Sequence, residues 1–148
     1  MICYLDSSAL VKRYLTELGS APLRQFIANA DTVGTVSVSR AEVIAAFAKA
    51  ARLGSITREI AEASRRIFRI DWNDLGEIDL TDALIDRACD LAWSYGLRGY
   101  DSVQLAAALS WQEDWDVPLT LATFDTRLWE AAARVGLDRY PHVLPGIR

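Results

Sequence analysis

Short apolar runs alternate with longer segments of helical periodicity along most of the chain. Runs of apolar or β-branched residues predict strands, and a run between two prolines predicts a last edge strand. The predicted strands are residues Ile2–Leu5, 32–37, 77–80, 118–123 and 142–144. Apolar side chains at helical spacing, with capping residues and stop glycines, predict helices between them. The predicted helices are residues 8–17, 20–30, 39–53, 57–72, 81–96, 101–113 and 125–135.

This alternation indicates an α/β fold. Strands separated by helices pair in parallel through right-handed crossovers, which place helices on both faces of the sheet. The length of 148 residues fits one domain. We therefore predict a single domain over 1–148, with a central parallel sheet of about five short strands. In such sheets the ligand site lies beyond the carboxyl ends of the strands.

Composition excludes some classes of protein. Apolar residues make up 51% of the chain and charged residues 24%, which argues against disorder. The net charge is -4 and the isoelectric point about 5.0, whereas a protein that binds nucleic acid through its whole surface is basic. A nuclease stays possible, because clustered carboxylates lower the isoelectric point and bound cations reverse their local charge.

The chain is predicted to be cytoplasmic and without a membrane span. No apolar run is long enough to cross a bilayer. Asp6 lies where a signal peptide would have positive charge. The two cysteines, Cys3 and Cys89, are interpreted as small buried apolar groups rather than a disulfide.

Acidic residues follow the ends of predicted strands. Asp6 follows the first strand, Asp125 follows the strand over 118–123, and Glu42 lies in the first turn after the second strand. A parallel sheet brings these three to one edge. Asp101 opens a helix, but the topology alone does not place it at that edge.

Clustered carboxylates favour a bound cation. Like charges a few ångströms apart raise one another's pKa, and a divalent cation compensates them. Ligands that are all oxygen suit Mg²⁺ or Mn²⁺ rather than zinc. His142 is the only histidine and lies in a proline-flanked tail. Mg²⁺ or Mn²⁺ on carboxylates is suited to phosphate chemistry.

Each acid also has a purely structural interpretation. Asp6, Asp101 and Asp125 are each plausible helix N-caps. Ser39 and Glu42 match a capping box, in which the glutamate accepts a hydrogen bond from the serine amide. By spacing alone, the capping box is the stronger interpretation of Glu42.

Four segments together resemble the motifs of the PIN domain, in its VapC-type toxin ribonuclease form. They are YLDSSALVKRY, VSVSRAEVIAAFAKA, LRGYDSVQLAAAL and TLATFDTRLWEAAARVG, in family order and spacing. The resemblance runs from the first strand nearly to the end of the chain. It implies catalytic and metal-binding roles for Asp6, Glu42, Asp101 and, less firmly, Asp125. The family often has histidine where Gln104 stands, which suggests that this position is not essential.

The resemblance also implies a reaction and partners. The expected activity is metal-dependent hydrolysis of RNA phosphodiesters by the toxin of a toxin–antitoxin pair. Ser8 and Thr123 are expected to hydrogen-bond a carboxylate or a ligated water, or else to cap helices. Candidates for binding RNA phosphates are the arginines near the motifs, although solvated surface charge is the alternative for each: Arg13, Arg40, Arg98 and Arg127.

A small antitoxin and a second copy of the chain are the implied protein partners. Two surfaces are candidates for the antitoxin: the apolar face of the helix over 8–15 and the arginine-rich helix over 57–72. Trp111 and Trp115 are candidate interface anchors, although tryptophans also fill cores.

Two other functions remain open. One is a non-catalytic PIN-like module that binds RNA or protein. The other is a Mg²⁺-dependent phosphoryl-transfer domain, whose usual lysine after a late strand is missing because Lys12 and Lys49 are both early.

Overall fold

A computed structural model describes residues 1–146, and in that part of the chain five strands form one sheet. The strands are β1 (Ile2–Leu5), β2 (Thr32–Val36), β3 (Gly76–Ile78), β4 (Leu119–Ala122) and β5 (Asp138–Tyr140). All neighbours are parallel, and the order across the sheet is β3-β2-β1-β4-β5. The predicted α/β class with a five-stranded parallel sheet is confirmed.

Helices cover both faces of the sheet. They are α1 (Ser7–Tyr14), α2 (Ser20–Ala28), α3 (Ser39–Arg52), α4 (Arg58–Asp71), α5 (Asp82–Tyr95), α6 (Gly99–Trp115) and α7 (Thr126–Arg134). Successive side chains of a strand point to opposite faces. Tyr4 of β1 therefore packs in the core formed with α5, α6 and α7. Cys3 and Leu5 pack in the second core, formed with α1 to α4.

Helix α6 begins at Gly99, within two residues of the predicted start. Two sequence predictions, on the last strand and on the burial of the cysteines, were wrong. The last strand is Asp138–Tyr140 rather than 142–144, and the Tyr140 ring stacks on Phe26. Both cysteines are free thiols as expected, but only Cys3 is buried and Cys89 is exposed. Within residues 1–146, no helix is both long enough and apolar enough to span a bilayer.

Glycines in β2 and β3 make room for the Trp111 side chain of α6. A Cβ on Gly34 would lie 2.5 Å from the carbonyl oxygen of Gly76 and would also collide with the Trp111 ring. The Gly76 oxygen belongs to the sheet backbone and has little freedom to move. Trp111 belongs to α6 and its ring packs directly against Gly34 and Gly76. The absence of side chains at these two glycines therefore lets α6 pack close to the sheet.

We expect Gly34→Ala to lower the free energy of unfolding by about 3 kcal/mol or more, because added volume in a packed core forces backbone shifts. Chemical denaturation measures this change. Gly99→Ala is the matched control, since a Cβ there meets nothing within 4 Å, and it should change stability by less than about 0.5 kcal/mol. Equal effects of the two substitutions would contradict the packing described for Trp111.

Candidate active site

Four acidic side chains gather at the edge where the parallel strands end. Asp6 directly follows β1, and Asp125 follows β4 and caps α7. Glu42 lies in the first turn of α3, and Asp101 in the first turn of α6. Strands β1, β2 and β4 are adjacent in the sheet. The residues from these distant segments are joined by the hydrogen bonds described below.

Asp6 is a buried carboxylate held by three hydrogen bonds. Its Oδ1 accepts from the Ser8 hydroxyl at 2.7 Å and from the amide of Ala9 at 2.9 Å. Its Oδ2 accepts from the Thr123 hydroxyl at 2.6 Å. The side chain is therefore the N-cap of α1, as one interpretation predicted. A carboxylate oxygen has two lone pairs, so Oδ2 keeps one acceptor position.

Burial makes the charge of Asp6 costly. Loss of solvation raises the pKa of this carboxyl from 3.8 to about 6, although the hydrogen bonds from Thr123, Ser8 and Ala9 lower it. The charge of Asp125 raises it further. A buried acid with a raised pKa in a group of carboxylates is a common feature of functional sites.

Ser8 and Thr123 join two strand–helix junctions around Asp6. The Ser8 hydroxyl oxygen also accepts a hydrogen bond from the Phe124 amide at 2.8 Å. The Thr123 hydroxyl oxygen accepts one from the Asp125 amide at 3.1 Å. Neither hydroxyl is a helix cap, since Asp6 and Asp125 cap α1 and α7. The two hydroxyls instead fix the orientation of the Asp6 carboxylate.

Glu42 does not form the capping box that its spacing favours. Val38 is the N-cap of α3, with no side-chain cap bond, and the buried Ser39 hydroxyl pairs with Thr35 at 2.8 Å. The Glu42 carboxylate instead accepts a hydrogen bond from the Gln104 amide at 2.9 Å. Gln104 lies 62 residues later in the chain than Glu42. The Glu42 side chain also lines a neighbouring cleft.

Gln104 is the centre of a buried polar network. Its Oε1 accepts from the Tyr4 hydroxyl at 2.6 Å, and its Nε2 lies 2.9 Å from Glu42 and 3.1 Å from the Ser7 hydroxyl. Nε2 is also 2.9 Å from the Ser39 hydroxyl. The interpretation that this position is not essential did not foresee these contacts. The sequence does contain a signal for such contacts. Gln104 is the only amide side chain among the buried, mostly apolar residues of α6, and a buried amide needs hydrogen-bond partners.

Arg98 bridges Asp101 and Asp125. Its Nε donates to Asp101 at 2.8 Å and its Nη2 donates to Asp125 at 2.6 Å. The hydrogen bond to Asp101 and the charges of both acids raise the pKa of Arg98. Arg98 itself is the N-cap residue of α6, so the prediction of Asp101 as N-cap was wrong. Asp125 does cap α7, because its Oδ1 accepts from the Leu128 amide.

The other candidate arginines differ in position. Arg13 forms an ion pair with Asp71 at 3.6 Å and lines a cleft beside the start of β2, which is the opposite edge of the sheet. Arg40 pairs with Glu77 at 3.4 Å and lies over the Trp72 ring. Arg127 is exposed in the first turn of α7, two residues after Asp125. Arg98 is therefore the arginine in direct contact with the acids.

A cleft of about 720 Å³ opens beside the acids. Glu42, Arg98 and Asp101 line it on one side. The rest of its wall is largely apolar and comes from α5 and the segments around it, including Leu80, Ile85, Cys89 and Tyr100. The cleft is large enough to admit part of a polymeric substrate.

The acids fit a hard divalent cation by chemistry, since all of them offer oxygen ligands. As placed, however, no three side chains of the acidic, histidine or cysteine types among residues 1–146 are grouped closely enough to hold a metal ion. The Arg98 guanidinium occupies oxygens of Asp101 and Asp125. A cation bound at those oxygens would lie against the positively charged guanidinium, which opposes its binding.

Comparison with known proteins supports one family. The family model described as "PIN domain" matches residues 3–134. Ribonuclease VapC45 and Ribonuclease VapC49, from two strains of Mycobacterium tuberculosis, are each 35% identical over 140 residues, covering 91% of this chain and 92% of the relative. A toxin–antitoxin complex from Klebsiella pneumoniae has a chain of similar fold, with a TM-score of 0.61, 16% identity and coverage of 84% of this chain and 87% of that one.

Proposed function

This chain belongs to the PIN domain family, and we propose that it is a metal-dependent endoribonuclease, the VapC-type toxin of a toxin–antitoxin pair. The observation that supports this function best is that acids from four distant segments lie at the same edge of the sheet, two of them lining an open cleft. The relatives named as ribonucleases match nearly the whole chain. In the cell such an enzyme would inhibit translation by cutting RNA in the cytoplasm.

Mg²⁺ or Mn²⁺ is the proposed cofactor, with Asp6, Glu42 and Asp101 as ligands and Asp125 as a further one. Bound there, a divalent cation would polarise the phosphoryl oxygens and would lower the pKa of a water that could act as the nucleophile. The oxygen-only donor set supports a hard cation.

The chain's own residues prepare this site. Ser8 and Thr123 hold the Asp6 carboxylate in one orientation, as orienting hydrogen bonds do for ligands of metals. Gln104 directs Glu42 towards the cleft. Arg98, which contacts two of the acids, and Arg127, exposed in the first turn of α7, are the candidates for binding phosphates that flank the cut. Arg13 and Arg40 have acidic partners of their own, which makes them weaker candidates for that role.

The proposed partners are an RNA substrate, a small antitoxin and a second copy of this chain. Helix α4 suits the antitoxin, because Ile60, Ile67 and Ile70 are exposed among its arginines. The apolar face of α1 is a poorer candidate, since Ala9 and Leu10 are already buried in the core. Trp111 is buried as well. Trp115 is half exposed and stays a candidate interface anchor for the homodimer.

Cleavage of RNA tests this function. We expect the wild-type protein to cut RNA in the presence of Mg²⁺ or Mn²⁺ and to stop when the metal is chelated. Asp6→Asn and Asp101→Asn, purified in the same way, should each lose at least about 100-fold in rate, since each removes a charged ligand. Equal residual cutting by all three proteins would identify a contaminating nuclease and remove the support for this site. Tight binding of RNA without cutting would instead favour a non-catalytic module.

Glu42→Gln tests the assignment of the glutamate. Because Glu42 makes no cap bond to α3, we expect the melting temperature of the metal-free protein to change by less than about 2 °C. We expect the cleavage rate to fall by at least about tenfold, because a charged ligand is lost. A lower melting temperature with unchanged cleavage would support the capping interpretation instead.

A further inference from the structure

We propose that the Arg98 guanidinium and the divalent cation compete as positive charges for the same two carboxylates, so that Arg98 is an internal counter-ion that leaves when the metal binds. The inference rests on the proposed metal-dependent function and adds a residue that regulates occupancy of the site. It concerns the acids Asp101 and Asp125, which Arg98 joins.

Both oxygens of the Asp125 carboxylate already accept a hydrogen bond. Its Oδ1 accepts from the Leu128 amide at 3.0 Å and caps α7. Its Oδ2 accepts from Arg98 Nη2 at 2.6 Å. Each oxygen keeps one lone pair, but a metal ion at Oδ2 would lie against the positively charged guanidinium, and one at Oδ1 would share the oxygen that caps α7. At Asp101 the guanidinium likewise uses Oδ2, through Nε at 2.8 Å.

The exposure of the three side chains indicates which one moves. The Arg98 side chain is 62% exposed, whereas those of Asp101 and Asp125 are 15% and 26% exposed. Arg98 lies at the N-cap position of α6, outside the helix itself. The guanidinium can turn into solvent or along the cleft that it lines, while the carboxylates stay in place.

The charges explain why such a counter-ion is present. Asp101 and Asp125 both lie within hydrogen-bonding distance of one guanidinium, and the charge of Asp125 also acts on Asp6. Without a positive charge these like charges would destabilise one another. Arg98 offsets two of these charges in the metal-free protein. Exposed ion pairs are weak, so a divalent cation can displace the guanidinium. Once displaced, Arg98 is free to contact an RNA phosphate.

Binding of Mn²⁺ alone, without RNA, tests this competition. We propose to titrate metal-free wild type, Arg98→Gln and Arg127→Gln with Mn²⁺ and to follow the free ion by electron paramagnetic resonance. Arg127→Gln is the matched control, because it also removes one positive charge, in this case from the start of α7. Within residues 1–146, no ion pair involves Arg127. We expect Arg98→Gln to bind Mn²⁺ about fivefold more tightly than wild type and Arg127→Gln less than about twofold more tightly.

A second variant keeps the test valid if Arg98→Gln folds poorly. Arg98→Lys retains the charge but lacks the planar fork that reaches both carboxylates, so its Mn²⁺ affinity should lie between those of wild type and Arg98→Gln. Equal or weaker binding by Arg98→Gln than by Arg127→Gln would overturn the competition and leave the proposed function intact. If none of these proteins bound Mn²⁺, the metal-dependent function itself would fail.

Discussion

Asp6→Asn should make the metal-free protein more stable while it abolishes RNA cleavage. The pKa of Asp6 is raised to about 6 by burial, so its ionised form costs on the order of 2 to 3 kcal/mol at neutral pH. Asparagine removes this cost and still caps a helix. Rearranged hydrogen bonds at Thr123 and Ser8 offset part of the gain, by about 1 kcal/mol. We expect a net rise in melting temperature of about 4 °C at pH 8.

The difference in stability between Asp6→Asn and the wild type should increase with pH. Below pH 3.8 the carboxyl is protonated in both the folded and the unfolded chain, and it adds no pH dependence. Between pH 3.8 and about 6 the folded protein holds the proton more tightly, so the stability of the wild type falls as the pH rises. The advantage of Asp6→Asn should grow over that interval and stay constant above it. Denaturation curves from pH 4 to pH 8 measure this.

Asp125→Asn is the matched control for Asp6→Asn. Both aspartates cap a helix by accepting from the amide three residues on, but Asp125 also pairs with Arg98. Loss of that charge should lower the stability slightly at pH 8. If Asp6→Asn were the less stable of the two variants, the hydrogen bonds of Asp6 would outweigh its burial, and the residue would be a structural cap.

Gln104→Leu should reduce both stability and cleavage. Leucine has a similar size but leaves the buried Tyr4 hydroxyl without its acceptor and Glu42 without its donor. Burial raises the pKa of Tyr4 well above its ordinary value, so the hydroxyl keeps its proton and still needs a partner. Unsatisfied buried groups cost about 1 to 3 kcal/mol each. We expect a loss of about 3 kcal/mol in unfolding free energy and at least a tenfold fall in kcat.

Gln104→His tests whether stability and cleavage depend on the hydrogen bonds of residue 104 or only on the volume of its side chain. A neutral imidazole accepts with one nitrogen and donates with the other, as the amide does between Tyr4 and Glu42. This variant should keep most of the activity. In a double-mutant cycle with Glu42→Gln, Gln104→Leu should add little further loss of kcat if it acts through the glutamate. Fully additive losses, or an inactive Gln104→His, would contradict a positioning role.

Features that depend on local pattern and topology were predictable from the sequence. The strand Ile2–Leu5 followed from an apolar run, and parallel order then placed Asp6 and Asp125 at one edge. The helix predicted over 57–72 also followed from sequence, because its N-cap residue, Thr57, bonds to an amide only three residues later.

Features that depend on partners distant in sequence were not predictable. The predicted capping box of Ser39 and Glu42 does not form. Ser39 hydrogen-bonds to Thr35 and Gln104 instead, and Glu42 to Gln104. Arg98 was one of four candidate arginines, and only the arrangement of α6 against α7 gives it contact with two acids. The motif resemblance identified the acids but not the amide and guanidinium that control their geometry.

The central claim is that Asp6, Glu42 and Asp101 share a divalent cation. Crystals soaked in Mn²⁺ and measured for anomalous scattering test this claim most directly. We predict a peak within about 2.3 Å of carboxylate oxygens from at least two of these residues, with the Arg98 side chain turned away from Asp125. A fully soaked crystal without a peak at the strand ends, or with Mn²⁺ bound only elsewhere, would contradict the account.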